Sequence, residues 1–235
     1  MFEVEIEPLS LDRFVPVVGP EVHRRLAESM RGAMACLGRR TVWSINSAAT
    51  GGGVAEMLSS MTGYLAGAGI RSRWLVVEGD KEFFALTKRI HNRLHGTDDG
   101  SGGPLDGEAR RMYERCLQPE ADQAHGRIER GDVVIVHDPQ PAGLIPALQD
   151  HGATVVWRCH VGVDEPNETA RSAWDFLRPY VERGRLRVLP AKLRVARPRP
   201  GRDRAAVHRR VLPQEPGARA GHGRGHPGRG RRDGP

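Results

Sequence analysis

The sequence predicts an α/β fold: a Rossmann-like parallel sheet with helices on both faces over residues 1–182, followed by a disordered basic tail over 183–235. Through the first 182 residues, short β-branched or aromatic runs alternate with amphipathic, helix-spaced segments. Strands separated by helices pair in parallel, with cover on both faces. Charge breaks at the same boundary: from Arg183 to Pro235 there are 16 Lys and Arg against 3 Asp and Glu, which leaves 20 basic and 26 acidic residues before it. The formal net charge of +7 therefore belongs to the tail, and the body is acidic. Composition changes there too. Of the last 53 residues 37 are Arg, Gly, Pro or Ala, with no apolar period, so the segment buries too little to offset its ordering entropy. Only "RLRVLPA" (185–191) reads as an exception.

The elements follow in order. "VHRRLAESMRGAMACL" (22–37) has helical apolar spacing, and "TVWSIN" (41–46) is a buried-strand run. After Gly51, Gly52 and Gly53, a helix over 54–69 puts Val54, Met57, Leu58, Met61 and Leu65 on one face and stops at Gly67 and Gly69. "SRWLVVEG" (72–79) is the second strand, 81–96 a second helix closed by Gly96, and "TDDGSGGPLDG" (97–107) a surface loop. "EARRMYERCL" (108–117) reads as a helix that gives way to a polar segment before the apolar strand "DVVIVHD" (132–138). A short helix over 142–152, the strand "TVVWRCH" (154–160) and a helix over 167–181, capped by Asn167 or Thr169, complete the body.

Several function classes are disfavoured. Cys36, Cys116 and Cys159 lack CxxC spacing, so neither a zinc site nor a disulfide framework is expected and the thiols read as reduced. No apolar run of about 18 residues occurs, and "MFEVEIEPLS" is acidic where a secretory leader is basic, so no membrane partner and a cytoplasmic chain are expected. The tail has no aromatic residue to stack bases, which leaves nucleic acid only as a nonspecific, salt-sensitive partner. Oligomeric state stays open, a homo-oligomer included.

In parallel α/β sheets ligands bind at the carboxyl ends of the strands. The residues to read are therefore Asn46 to Gly53, His137 to Pro141 and His160 to Asp164. A tight turn needs one or two glycines, and each glycine costs roughly 0.5–1 kcal/mol of backbone entropy. Gly51, Gly52 and Gly53 together point to a phosphate or a densely hydroxylated ligand approaching helix N–H groups. The common nucleotide fingerprints are absent: no G-x-x-x-x-G-K-[ST] occurs, and G-x-G-x-x-G fails because Val54, Ala55 and Glu56 follow. With only Glu78 and Asp80 as ribose candidates, a dinucleotide oxidoreductase is a minor alternative. His137 and Asp138 form a candidate acid/base pair, with His160 as a second strand-end group. Lys88, Arg89, His91, Arg93 and His95 read partly as a solvated helix face, from which Lys88 and Arg89 could turn toward an anion.

Taken together, "VWSINSAATGGGVAEML", "GIRSRWLVVEGDKEFFALTKRIHNRLHG", "VVIVHDPQPAGLIPAL" and "VVWRCHVGVDEPNETARSAWDFLRPYV" resemble the N-terminal domain of trehalose glycosyltransferring synthases and trehalose phosphorylases over about residues 8–182. These are retaining GT-B glycosyltransferases. The resemblance implies that residues 1–182 are the acceptor-side domain of a two-domain enzyme. Such an enzyme transfers glucose from a nucleotide-diphosphate glucose, a co-substrate rather than a cofactor, to glucose, giving trehalose. It also implies that the glycine loop approaches donor phosphates and acceptor. Asn46, Glu56, His137, Asp138, Gln140, Arg158 and His160 would then contact the sugar, without a metal.

Past "WDFLRPYVER" the family would continue into a donor-binding C-terminal domain, whereas this sequence turns into residues with GC-rich codons. The expectation is a chain lacking that partner domain, inactive alone, whose residues from about 183 are translated out of frame. Reading the gene in all three frames tests it. A non-catalytic sugar-binding domain or a basic-tailed, nucleic-acid-associated protein are the alternatives of other classes.

Overall fold

A computed structural model describes residues 1–183, apart from 99 and 101, and the backbone of 186–188. The expected disorder and frame change of the tail fall on residues 189–235 above all, outside the described residues. The order is β1 (Phe2–Val4), a 3₁₀ turn at Leu11–Phe14, α1 (Val15–Leu37), β2 (Val42–Asn46), α2 (Gly53–Gly67), β3 (Ser72–Val76), α3 (Lys81–Leu94) and α4 (Gly107–His125). Then come β4 (Val133–His137), a 3₁₀ turn at Ala142–Leu144, α5 (Ile145–Asp150), β5 (Thr154–Arg158), α6 (Glu168–Val181) and β6 (Leu186–Val188).

The sheet runs β1-β3-β2-β4-β5-β6, parallel throughout except for β1, so the fold is α/β and Rossmann-like with one antiparallel edge. That edge strand departs from the all-parallel expectation. Phe2, Val4 and Ile6 alternate with Glu3, Glu5 and Glu7, and the pairing sets Phe2 opposite Val76 and Val4 opposite Trp74. At the other edge β6 pairs with β5 inside "RLRVLPA", the stretch set apart from the rest of the tail.

Side-chain alternation divides the core between the two faces. Trp43, Ile45, Leu75, Val134, Val136, Val155 and Trp157 meet buried residues of α3, α4, α5 and α6 in the larger cluster. Trp74 and Val76 point the other way, onto Ala55 and Leu58 of α2. Gly67 is required here, because a Cβ would run into the backbone of Leu9.

Two helices differ from the sequence reading. α1 begins seven residues early at Val15, and Gly19 at φ +76 kinks it just before Pro20, which then sits in the first turn of the straight part. α4 continues through Pro119 to His125 rather than ending near Leu117, since Tyr113, Leu117, Ala121 and Ala124 keep the helical spacing and all are buried. That burial outweighs the single backbone hydrogen bond a proline removes.

Candidate functional site

Strand order turns around at β2. The chain leaves β2 for β3 on one side and returns to β4 on the other, so the carboxyl ends of β2 and β4 flank a crevice. A cavity of about 740 Å³ opens there, within the range of about 300–1,000 Å³ usual for ligand pockets. Asn46, Gly51, Gly52, Gly53, His137, Asp138, Gln140 and His160 all line it. Glu56, in the first turn of α2, is exposed and not in the lining. Arg158 ends β5 outside the lining, yet its charge disfavours protonation of His137 and His160 and favours ionisation of Asp138. Asp80 is spent on capping α3, where it accepts from Phe83 N at 2.7 Å, and Glu78 also lies outside the cavity.

The loop after β4 is fixed from three sides. Asp138, at φ +65, is the one non-glycine with positive φ among the described residues. Its N–H donates to Arg158 O at 2.9 Å, its carbonyl accepts from Trp157 Nε1 at 2.9 Å, and its Oδ1 accepts from His160 N at 2.6 Å. Below it the buried Tyr113 hydroxyl donates to Pro139 O at 2.6 Å and accepts from Gly143 N at 2.9 Å. Left-handed backbone at a side-chain-bearing residue is costly and persists when its surroundings over-determine it, as these do.

His137 Nδ1 and His160 Nε2 are 3.1 Å apart, with the rings stacked at 5.4 Å. Burial first, then His160 and Arg158, pushes His137 down to about 3. Burial and Arg158 also lower His160, so both rings are neutral near pH 7, and across this contact one ring donates its N–H to the other. Burial raises the Asp138 carboxyl to about 6, against the opposing pull of the His160 N–H and Arg158. His137 is 1% exposed. Its Nε2, and Oε1 of Gln140 in the same lining, are buried polar atoms with no partner. In either tautomer His137 Nε2 has one hydrogen bond unmade, and the Gln140 carbonyl oxygen lacks a donor.

Asn46 contributes by shaping the loop. Its Oδ1 accepts from Trp74 Nε1 at 2.8 Å and its Nδ2 donates to Ala48 O at 2.7 Å, which sets the path toward the glycines. Gly51 has φ +77, Gly52 is the extended N-cap of α2, and a Cβ on any of the three would meet nothing within 4 Å. Only Gly51 is demanded by backbone conformation. The turn leaves the first amides of α2 without a side-chain cap, at the positive end of the helix.

The fourth wall escapes the sequence reading except at its charged positions. Phe84, Thr87, Lys88 and His91 form an i, i+3, i+4, i+7 stripe of α3 that faces the cavity, while Phe83, Leu86, Ile90 and Leu94 face the core. Arg89 lines a different depression, with Gly102 and Gly103. Periodicity reveals two such faces, but only packing decides which one meets the crevice. Among the described residues, no group of three His, Cys, Asp or Glu is arranged to hold a metal ion, and no helix is long and apolar enough to cross a membrane.

The family model for the N-terminal domain of trehalose synthase matches residues 44–192. Trehalose synthase of Pyrococcus horikoshii is 35% identical over 176 residues, which is 74% of this chain and 39% of that protein. Trehalose synthase of Rubrobacter xylanophilus is 36% identical over 161 residues, 67% of this chain and 35% of that protein. Trehalose phosphorylase of Pleurotus sajor-caju is 28% identical over 139 residues, 55% of this chain and 18% of that protein. The matched part of this chain thus spans less than two fifths of the length of these relatives.

Proposed function

Because the chain belongs to the trehalose synthase N-terminal domain family, we propose that it is the acceptor-side half of a retaining GT-B glycosyltransferase. The reaction would join glucose from a nucleotide-diphosphate glucose to a second glucose, giving trehalose. One observation carries the assignment of the cavity to a sugar: His137 Nε2 and Gln140 Oε1 are buried, unpartnered and in one lining. A polyol supplies adjacent hydroxyls that both donate and accept.

In this reading Asp138, ionised above about pH 6, accepts from an acceptor hydroxyl, and its loop holds that carboxylate still. The neutral His137 and His160 pair orients further hydroxyls. The uncapped amides of α2 face the region where charge develops on the leaving diphosphate. The donor would be held by a second domain, corresponding to the part of the relatives this chain does not span. Three free cysteines and a nucleotide-sugar co-substrate suit a cytoplasmic enzyme.

Catalysis needs acceptor and donor positioned together, so this chain alone should bind glucose and not turn over. Calorimetric titration with glucose should give saturable binding that His137→Leu weakens about tenfold or more, the loss of one buried hydrogen bond. Absence of any glucose or trehalose binding would remove the sugar reading. Trehalose formed from UDP-glucose and glucose by this chain alone would remove the half-site reading. A phosphorylase, making and breaking the same bond with inorganic phosphate, is the second reading, favoured by the 28% identity to a trehalose phosphorylase.

A further inference from the structure

The α3 wall of the cavity carries a charge that a neutral sugar does not use. Lys88 lines the cavity, and none of the ion pairs among the described residues involves it. His91, less than one turn further on, lines it too and is partly buried. Burial lowers the His91 pKa, and Lys88 and then His95 lower it further, so the lysine charge is felt at that ring. The lining holds a single carboxylate, Asp138, which already accepts the His160 N–H. The same lining includes the N-terminus of α2, which, like those of α1 and α5, has no side-chain cap. The unpartnered His137 Nε2, on a side chain 99% removed from solvent, independently marks this cavity as one that takes a ligand.

We propose that Lys88, backed by His91, is an anion-binding residue of this cavity and engages a phosphate group carried by its ligand. The proposal rests on the reading of the cavity as a ligand site and adds the chemistry of one side of that ligand. A flexible ammonium suits a phosphate as a point charge, and Lys88, itself exposed, offers it from the wall of the cavity. Three sources share this chemistry: inorganic phosphate, a sugar phosphate, and the diphosphate of a nucleotide sugar.

The test titrates glucose, glucose 6-phosphate, inorganic phosphate and UDP-glucose into the full 235-residue chain and into its Lys88→Gln, Lys88→Arg and Lys81→Gln variants. Lys81 is an exposed cation in the first turn of the same helix, outside the cavity. All variants keep the basic tail, so phosphate binding there is common to them and cancels when the variants are compared at one salt concentration. At least one phosphate-bearing probe should bind about tenfold tighter than glucose, the size of one charge-assisted hydrogen bond. Lys88→Gln should abolish that advantage, while Lys88→Arg and Lys81→Gln keep it. The probe that gains most identifies the source. If no phosphate-bearing probe outbinds glucose, or if Lys88→Gln and Lys81→Gln weaken binding alike, the anion subsite is wrong and the sugar reading survives. Phosphate binding through Lys88 without glucose binding keeps the subsite and removes the sugar. Failure of every probe overturns both.

Discussion

β4 is flanked by two aspartates, six residues apart. At its start the Asp132 carboxylate is 3% exposed and accepts from Thr41 N at 2.8 Å, Trp43 Nε1 at 2.8 Å and Glu129 N at 3.1 Å. At its end Asp138 accepts a single backbone N–H, at 2.6 Å, from a left-handed backbone, and burial raises its pKa to about 6. The first carboxylate is fully used in tying the start of β2 to the start of β4. The second accepts only that one hydrogen bond, in a cavity lining that also holds His137 and Gln140, whose Nε2 and Oε1 lack partners. The amino end of this sheet is therefore closed by its own hydrogen bonds, whereas the carboxyl end keeps buried polar atoms without partners.

The largest effect should come from breaking the closed end. Asp132→Ala strands three buried or half-buried donors, and we expect a loss of about 3–5 kcal/mol. For a domain of this size that corresponds to a melting temperature lower by about 10 °C or more, read by circular dichroism. A loss under about 1 kcal/mol would mean that this end is not what secures the sheet.

Next in size is the pH dependence of stability at the open end, where two neighbours work in opposite directions. His137 has its folded pKa depressed from 6.5 to about 3, so the folded state binds fewer protons than the unfolded chain between those values and stability falls as pH falls. Asp138 has its folded pKa raised from 3.8 to about 6, so in that window stability rises as pH falls. Each term is worth up to about 1.4 kcal/mol per pH unit, and they largely cancel between about pH 6 and pH 4. Because His91 and His160 are lowered as well, the readout is the change in slope relative to the parent chain. His137→Asn should make acidification from pH 6 to 4 less destabilising than in the parent, and Asp138→Asn should make it more destabilising, by about 2 kcal/mol. Urea midpoints at several pH values measure both changes, and changes of the same sign would refute the opposition.

Smaller again is the effect of Asp138→Gly on glucose affinity. Glycine relieves the left-handed backbone while removing the carboxylate, so stability should stay within about 1 kcal/mol and affinity should fall about tenfold. The same variant therefore separates the two aspartates: one mutation harms the fold, the other only the site. A melting temperature that drops as far as in Asp132→Ala would erase the distinction.

Much of this was legible in the chain. The four central strands announce themselves as β-branched and aromatic runs, and the strand-end rule leads directly to Asn46, His137, Asp138 and His160. The misses have separate physical causes. β1 shows its alternation of Phe2, Val4 and Ile6, but an exposed acidic edge strand lacks the apolar density of a central one. On paper α4 gives way to a polar segment after Leu117, and the burial of Ala121 and Ala124 keeps it running. Asp138 precedes Pro139, which by itself favours an extended backbone, and the left-handed turn comes from partners on β5 that no local pattern reveals. Lys88 and Arg89 are equivalent by sequence, and tertiary packing sends one into the cavity and the other away.

The finest test lies in the glycines, where stability and function should come apart within one turn. Gly51 needs its positive φ, so Gly51→Ala should destabilise by about 1 kcal/mol through backbone strain alone. Gly52 is extended at φ −176 and Gly53 begins α2, conformations open to any residue, and an added Cβ at either meets nothing within 4 Å. For the fold, Gly52→Ala and Gly53→Ala should therefore change stability by no more than about 0.5 kcal/mol, with Gly53→Ala if anything stabilising. If a ligand approaches the backbone here, the same methyl groups occupy its space and weaken binding of UDP-glucose or of the sugar, with the melting temperature unchanged. The comparison thus turns on two variants that the folded chain tolerates: binding lost at Gly52 and Gly53 makes the turn part of the open end, whereas binding retained leaves only Gly51 with a role, in chain geometry.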